Sequence, residues 1–426
     1  MATPRQDQLE SHRRISRLRI IDSLREGGEI SRADVARATG LSRPMVSNLV
    51  NELCAAGLVL EDAEPVATRD RRGGRPPTLL QLASAGAAVG IDFDHSRVSV
   101  AVSDVALQIR AERTEPLDPS RPTADGLDLA AEMVERVLAD AGVERDRVVG
   151  VGMTLPGTIE QPDGVVGPSS ILPRWTGVAA GAEMRRRLGL PVVADNDANL
   201  GAVAEAAFGA ARRAQDVLYV KVTSGIGAGV ILKGGLYRGG AGRAGEIGHV
   251  RVRPDGPVCR CGRRGCLETV ASTDALRHAL RQDHGRDLTV ASMIEAARAG
   301  DPDCLQVIAD GGRALGGVVA MLLNVLNPEA VVIGGDLAPV GDILVGAVKD
   351  AIASDALPES AAAASVVPGV LGDRTQLLGA LALVISGIDT PIARASREPL
   401  EVGAGTGAGP ENRPGDGGRR IRTFEG

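Results

Sequence analysis

The sequence predicts an α/β chain headed by a winged helix-turn-helix, and three observations carry that expectation. Two short amphipathic helix patterns meet at a glycine turn near the N-terminus and are followed by a pair of strand patterns. From about residue 84 onward, strand-like runs alternate with helical ones, the signature of an α/β sheet. At 426 residues the chain suits two or three domains. Apolar residues are 44% of it and aromatics only 1%, so Ala, Val, Leu, Ile and Gly must fill the core.

In residues 14–26, Ile15, Leu18, Ile21 and Leu24 recur at helical spacing, and Gly27-Gly28 closes that helix. Ser31, three residues before Asp34, forms a capping-box-like start to a second helix that stops at Gly40. Ser42 is expected to cap a third, with Pro44 tolerated in its first turn. Val46, Leu49, Val50 and Leu53 make its buried stripe. Arg43, Ser47, Asn48 and Asn51 lie opposite, with Ser42 at the start, a polar face suited to base edges and phosphates.

The runs Leu58–Leu60 and Thr78–Leu82 read as paired strands around a charged tip, a wing. Its Arg71-Arg72-Gly73-Gly74-Arg75-Pro76-Pro77 stretch would send Arg72 and Arg75 into a narrow minor groove, or else serve as a solvated linker. Residues 1–80 hold 13 arginines against 11 acids within a chain of net charge -6. That small local excess permits contact with an acidic polymer without predicting it.

Strand patterns follow at Val89–Phe93, Val98–Val102, Val148–Thr154, Pro191–Asp195, Val217–Val222, Gly229–Leu232 and Val331–Gly334, with helical patterns at 124–140, 274–282, 289–299 and 302–326. The hairpin-like opening at 89–103 has a rough counterpart at 217–233, which suits two sheet-centred lobes facing a cleft. The expected organisation is a DNA-binding domain at 1–83, a larger domain at 84–395 and a tail at 396–426 rich in Gly, Pro and Arg without periodicity. Arg13, Arg14, Arg17 and Arg19 interrupt the first apolar pattern, so it does not read as a signal peptide. No later apolar run is expected to reach the roughly 18 residues of a membrane span. A cytoplasmic protein is the expectation.

Five cysteines are present, three of them within eight positions. His249 with Cys259, Cys261 and Cys266 supplies one imidazole and three thiols, the ligand types of a closed tetrahedral zinc site, with glycines between them to turn the chain. The alternative reading makes the thiols small buried hydrophobes or a transient redox pair. Cys54 and Cys304 lie on helical faces and are expected in the core. Asp195-Asn196-Asp197-Ala198-Asn199 stands where a strand gives way to a helix, a position for ligand groups or for an ordinary N-cap. An acid there could take a proton from a hydroxyl nucleophile. The metal loop would hold Glu246, His249 and Glu268 together, an acceptor and donor pattern for a polyhydroxylated ligand.

The motifs Thr154-Leu155-Pro156-Gly157, Asn196-Asp197-Ala198-Asn199, Ser224-Gly225-Ile226-Gly227-Ala228-Gly229, Glu246-x-Gly-His249, Cys259-x-Cys261-Gly-x-x-Gly-Cys266-Leu-Glu268 and Ile333-Gly334-Gly335 occur in this order. The chain thereby resembles the ROK family of repressors and sugar kinases over about residues 10–390. The resemblance implies a two-lobed, actin-like ATPase architecture. It also implies sugar contacts from Gly157, Asn196, Asp197, Glu246, His249 and Glu268, zinc held by His249 and the three cysteines, and Asp197 as the catalytic base in a kinase.

The departures point toward a regulator. The kinases' first phosphate loop runs Asp-x-Gly-Gly-Thr, but this chain reads Asp92-Phe93-Asp94-His95-Ser96, and Asp94 brings a negative side chain where glycine lets phosphate approach. Thr223 stands where the second loop commonly has glycine, and Ser169-Ser170 precedes Ile171-Leu172-Pro173 where many members have asparagine before Leu-Pro. ATP use is therefore not expected. The expected partners are operator DNA and a sugar effector, with a homodimer or homotetramer as the assembly and no membrane. An ATP-dependent sugar kinase of glucokinase or N-acetylhexosamine kinase type is the alternative.

Overall fold

The computed structural model describes residues 4–62, 78–83, 86–118, 120–167 and 172–387. The wing tip with Arg72 and Arg75, Ser169-Ser170-Ile171 and the tail at 396–426 all lie outside them.

The chain opens with α1 (Pro4–Gly27), β1 (Ile30–Ser31), α2 (Arg32–Thr39), α3 (Arg43–Ala55), β2 (Val59–Asp62) and β3 (Leu79–Leu82). The expected capping box is present: Ser31 accepts from the Asp34 amide, and Asp34 accepts from the Ser31 backbone. Gly40 ends α2 in the left-handed conformation. Ser42 occupies the N-cap of α3 but makes no side-chain cap bond, which leaves its exposed hydroxyl for other partners. β2 and β3 pair antiparallel as expected, and β1 adds to the other side of β3. This is a winged helix-turn-helix.

α1 begins ten residues before the helical pattern recognised at 14–26, and the extra length has a purpose. It packs on β13, α6 and α13 of the second region (ranges below) as well as on α2 and α3. Ile15, Leu18, Ile21 and Leu24 join one apolar cluster containing both Val46 and Leu80 of the helix-turn-helix and Ala206, Leu236 and Leu381 beyond it.

Two five-stranded sheets follow. The first contains β4 (Ala87–Phe93), β5 (Arg97–Asp104), β6 (Ile109–Pro116), β7 (Val148–Leu155) and β10 (Val192–Asn196), interspersed with α4 (Thr123–Ala141), β8 (Ile159–Glu160), β9 (Val165–Val166) and α5 (Ala180–Leu188). After α6 (Asp197–Ala207) the second sheet contains β11 (Val217–Val222), β12 (Ile226–Leu232), β13 (Gly235–Tyr237), β14 (Ala330–Gly334) and β15 (Ser365–Pro368). Its helices are α7 (Glu268–Ala271), α8 (Thr273–His284), α9 (Val290–Arg298), α10 (Pro302–Leu326), α11 (Asp342–Asp355), α12 (Pro358–Ala363) and α13 (Thr375–Ser386).

The orders are β10-β7-β4-β5-β6 and β13-β12-β11-β14-β15. In each, a first strand has two antiparallel successors on one side and two parallel ones on the other. The weak hairpin repeat in the sequence is therefore a full topological duplication. α6 is buried along its whole length and packs with α13 and both sheets.

Among the described helices, α10 at 25 residues is long and apolar enough by composition to cross a membrane, but Asp310 and Arg313 interrupt its apolar run and its apolar face is buried in the core. Its small residues Gly311, Gly312, Gly316 and Ala320 dilute the hydropathy, and they let α10 pack closely on α7, α8 and α11.

Candidate functional site

β10 carries Asp195 and Asn196 to the start of α6, where the cap and the ligand cluster prove to be the same residues. Asn196 caps the helix: its Oδ1 accepts from the amides of Ala198 and Asn199 at 2.9 and 3.1 Å. Its Nδ2 donates to the Gly157 carbonyl at 2.8 Å and to Asp197 Oδ1 at 3.1 Å. The cap thus fixes the carboxylate beside it. Asp197 Oδ1 also accepts from the Ala198 amide at 2.7 Å, and Oδ2 accepts from Lys221 Nζ at 2.7 Å. Asp195 accepts from Asn199 at 3.0 Å and from Arg238 Nε and Nη2 at 3.0 and 2.5 Å.

The segment after β13 returns across β12 to bring in the second group. Gly245 sits at φ 95°, where an added Cβ would stand 1.8 Å from the Ala228 carbonyl, so only glycine allows this approach. Glu246 and His249 follow. His249 presents Nδ1 to Cys259 Sγ at 3.5 Å and to Glu268 Oε1 at 3.6 Å, while Nε2 faces Glu246 at 3.9 Å. Burial pushes the Glu246 carboxyl up, His249 opposes that, and the charges of Asp197 and Glu268 reinforce it. His249 thus stands between Glu246 and Glu268, at 3.9 and 3.6 Å, and brings the two carboxylates to one place.

One ligand atom from each of His249, Cys259, Cys261 and Cys266 lies within 4.8 Å of all the others, so the four predicted residues converge on a point that could hold a metal ion. Cys261 and Cys266 place their sulfurs 3.7 Å apart. Gly265, at φ 69°, passes so near the Arg253 carbonyl that a Cβ would stand 1.4 Å from it, which closes the loop tightly enough for the thiols to meet. Three thiols and an imidazole are soft and borderline donors with no carboxylate among them, a set that fits zinc. Glu268 is buried and accepts from the Cys259 thiol at 2.8 Å, and Arg260 ties the loop to the Ser224 carbonyl at 2.7 Å. Cys304 is buried in α10, as expected, while Cys54 is only partly buried.

Asp94 is a structural anchor of the β4–β5 turn. Its Oδ1 accepts from the His95 amide at 2.7 Å and lies 3.1 Å from His95 Nδ1. Burial pushes this carboxyl up, but His95 and the charge of Lys221 outweigh burial and hold it below the usual carboxylate range. Asp92, buried behind it and hydrogen-bonded by Thr154, is pushed up to about 6, by burial above all. Thr223 turns inward, its amide donating to the Gly225 carbonyl at 2.9 Å, and the buried Ser224 hydroxyl has no partner among the described residues. Sequence reasoning missed Lys221 and Arg238. A single lysine in an otherwise apolar strand, and an arginine in a Gly-rich turn, carry no motif.

On the helix-turn-helix, Ser42, Arg43, Asn48 and Asn51 are exposed on one side of α3, and Ser47 is half-buried. Asn51 Oδ1 accepts from Arg32 Nη2 at 2.8 Å, and Arg32 also holds the Ser47 carbonyl and Glu61, so α2 and the wing strand orient that face.

The ROK family profile matches residues 88–386. The chain belongs to the ROK family. A winged helix-turn-helix DNA-binding profile matches residues 13–59, ahead of the ROK domain. The chain is 29% identical over 388 residues to the xylose repressor of Caldicellulosiruptor bescii, which spans 88% of this chain and 96% of that protein. It is 33% identical over 271 residues to the glucokinase of Thermotoga maritima, but that match covers only 60% of this chain and 85% of the kinase. Among solved structures, a ROK family transcriptional regulator homologous to the Escherichia coli MLC protein superposes with a TM-score of 0.72 at 26% identity, covering 90% of this chain and 98% of that one. The ROK likeness, the α/β architecture and the N-terminal winged helix-turn-helix expected from the motifs are thereby established.

Proposed function

We propose that this ROK protein is a sugar-responsive, DNA-binding transcription regulator, a repressor of genes for carbohydrate uptake or catabolism. One observation carries the reading: a winged helix-turn-helix with a polar outer face on α3 is packed directly against a ROK domain in which Asn196 and Asp197 meet at the start of α6 and Glu246, His249 and Glu268 lie together beside the metal cluster. A kinase needs only the second half.

In this reading Ser42, Arg43, Ser47, Asn48 and Asn51 contact bases and phosphates in the major groove, with Arg72 and Arg75 reaching the minor groove. Two copies of the chain would read two half-sites of an operator. Gly157, Asn196, Asp197, Glu246, His249 and Glu268 bind the hydroxyls of a sugar. His249 through Nδ1, with Cys259, Cys261 and Cys266, holds a zinc ion whose work is to keep the loop closed around Glu246 and Glu268. His249 Nε2, on the Glu246 side, stays available to the sugar. ATP is disfavoured because Asp94 adds charge at the first phosphate loop and Thr223 fills the second.

Sugar binding would act by favouring one arrangement of the two regions over another, and DNA affinity follows from that difference. The test is Glu246→Ala, with operator affinity measured by fluorescence anisotropy while a panel of hexoses, pentoses and amino sugars is titrated in. Retained DNA binding with loss of sugar-induced release is expected. Loss of DNA binding in a folded variant would sink the reading. The kinase alternative keeps one observation, the intact Asp197. ADP release that depends on a sugar and disappears in Asp197→Ala would establish it.

A further inference from the structure

A cavity of about 490 Å³ lies at the seam between the first helix and the second region. Glu10, Ser11 and Arg14 of α1 form one wall, and β10, residues 236–240 and α13 form the other. Neither the proposed sugar contacts nor the metal ligands line it. Its acids are already engaged. Asp195 accepts from Arg238 Nε and Nη2 at 3.0 and 2.5 Å, and Arg238 Nη1 reaches back to Ser11 Oγ at 3.2 Å. Glu10 accepts from Arg17 at 3.3 Å. Arg14 is the cation left over. Its guanidinium makes no hydrogen bond among the described residues, and Nε is buried with Glu10, the one carboxylate within reach, 3.8 Å away. Burial above all, and next the charge of Arg238, push Arg14 from 12.5 down to about 10.

A guanidinium carries five donors and no acceptor, and holding it largely out of water is costly until an acceptor arrives. Its planar fork fits the two oxygens of a carboxylate, and a cavity of this size admits a small organic molecule. Val193, Leu236 and Leu383 offer an apolar wall for a short carbon skeleton. Gln161 donates Nε2 to the Ala194 carbonyl at 2.6 Å, which leaves its Oε1 to accept from a hydroxyl. We propose that this seam is a second ligand site, which takes a small hydroxylated organic carboxylate on Arg14. A molecule seated there touches α1 and the second region together, so it favours the arrangement in which the two are packed. The proposal stands apart from the sugar reading, because its test uses neither sugar nor operator.

The experiment is isothermal titration calorimetry of the zinc-loaded full chain with glycolate, lactate, malate and gluconate at fixed ionic strength, with inorganic phosphate as a tetrahedral comparison. At least one of the carboxylates is expected to bind wild type at a single site, and Arg14→Met to weaken it by about ten-fold or more. Arg14→Lys keeps the charge without the fork and should recover only part of the affinity. Arg14→Gln is neutral but polar and carries the test if Arg14→Met does not accumulate as folded protein. Absence of binding by every carboxylate to wild type would overturn the proposal. So would binding that a folded neutral variant retains, or phosphate held more tightly than all the carboxylates.

Discussion

Arg17 of α1 and Glu52 of α3 form a two-pronged ion pair, with Nε and Nη2 at 3.0 and 2.7 Å from Glu52 Oε2. The same guanidinium donates Nη1 to the Ser386 carbonyl at 2.8 Å, the last residue of α13. One buried arginine therefore joins the helix expected to enter the major groove to a helix that packs on α6, whose start carries Asp197. Removing it takes the donor from the Ser386 carbonyl and leaves the partly buried Glu52 to Arg13 alone. Arg17→Met is expected to lower unfolding stability by about 1–3 kcal/mol in urea titrations. It should also weaken the sugar's effect on operator affinity, whereas Arg13→Met, whose guanidinium is more exposed, should do little.

The metal loop gives a second expectation. Purified protein should contain one zinc per chain by atomic emission, and Cys261→Ser should lose it. Cys261 is the exposed member of the set, so a chelator reaches the ion from that side. Because loss of a structural metal belongs to the large class of destabilisations, Tm should fall by about 10 °C on chelation and recover with added zinc.

On the DNA side, two arginines should separate by role. Arg43, exposed at the start of α3, is expected to read a base edge, so Arg43→Ala should cost about 1–3 kcal/mol on an operator selected in vitro and little on random DNA. Arg37 in the last turn of α2, paired with Asp34, is placed for phosphate. Arg37→Ala should weaken both DNAs alike and flatten the salt dependence by about one unit of slope. Equal losses on both DNAs for Arg43→Ala would remove α3 from base readout.

Asp92 predicts a pH dependence. Its folded-state value, about 6, lies above the 3.8 of an unperturbed carboxyl, so the folded protein binds a proton that the unfolded chain has already released. The contribution of this group is therefore greatest at low pH and declines as pH rises through about 4 to 6. Asp92→Asn keeps the acceptor for Thr154 and removes the titration. The variant should match wild type near pH 4.5 and exceed it in Tm at pH 7.5, by an energy on the order of 2–3 kcal/mol.

Legibility of all this in the sequence followed locality. The Ser31–Asp34 capping box, the wing pairing and the His249–Cys266 cluster rest on residues near one another in the chain, and each was readable. β6, Ile109–Pro116, was not: it is a sheet edge with no fully buried residue, which permits Arg110, Glu112, Arg113 and Glu115 and leaves no alternating apolar pattern. α13 lacked a polar stripe because it is buried almost throughout between α6 and the first sheet. Arg17 could not be assigned a role because its partner carbonyl lies 369 residues away. Lys221 was invisible for a related reason, since β11 is central and buries both faces, a condition set by strands arriving from elsewhere.

The length of α1 has a bearing on how such regulators diversify. A reader head that merely hung from its sensor could be exchanged between relatives by recombination at the joint before Ala87. Here the first helix supplies Ile15, Leu18 and Ile21 to a core shared with Leu236 and Leu381, and lends Ser11 to Arg238. A transplanted head would bring a foreign surface to that seam and lay bare the apolar patch its predecessor covered. Heads and sensors of this build should therefore descend together, and changes in operator preference should accumulate on the outer face of α3 rather than by wholesale replacement.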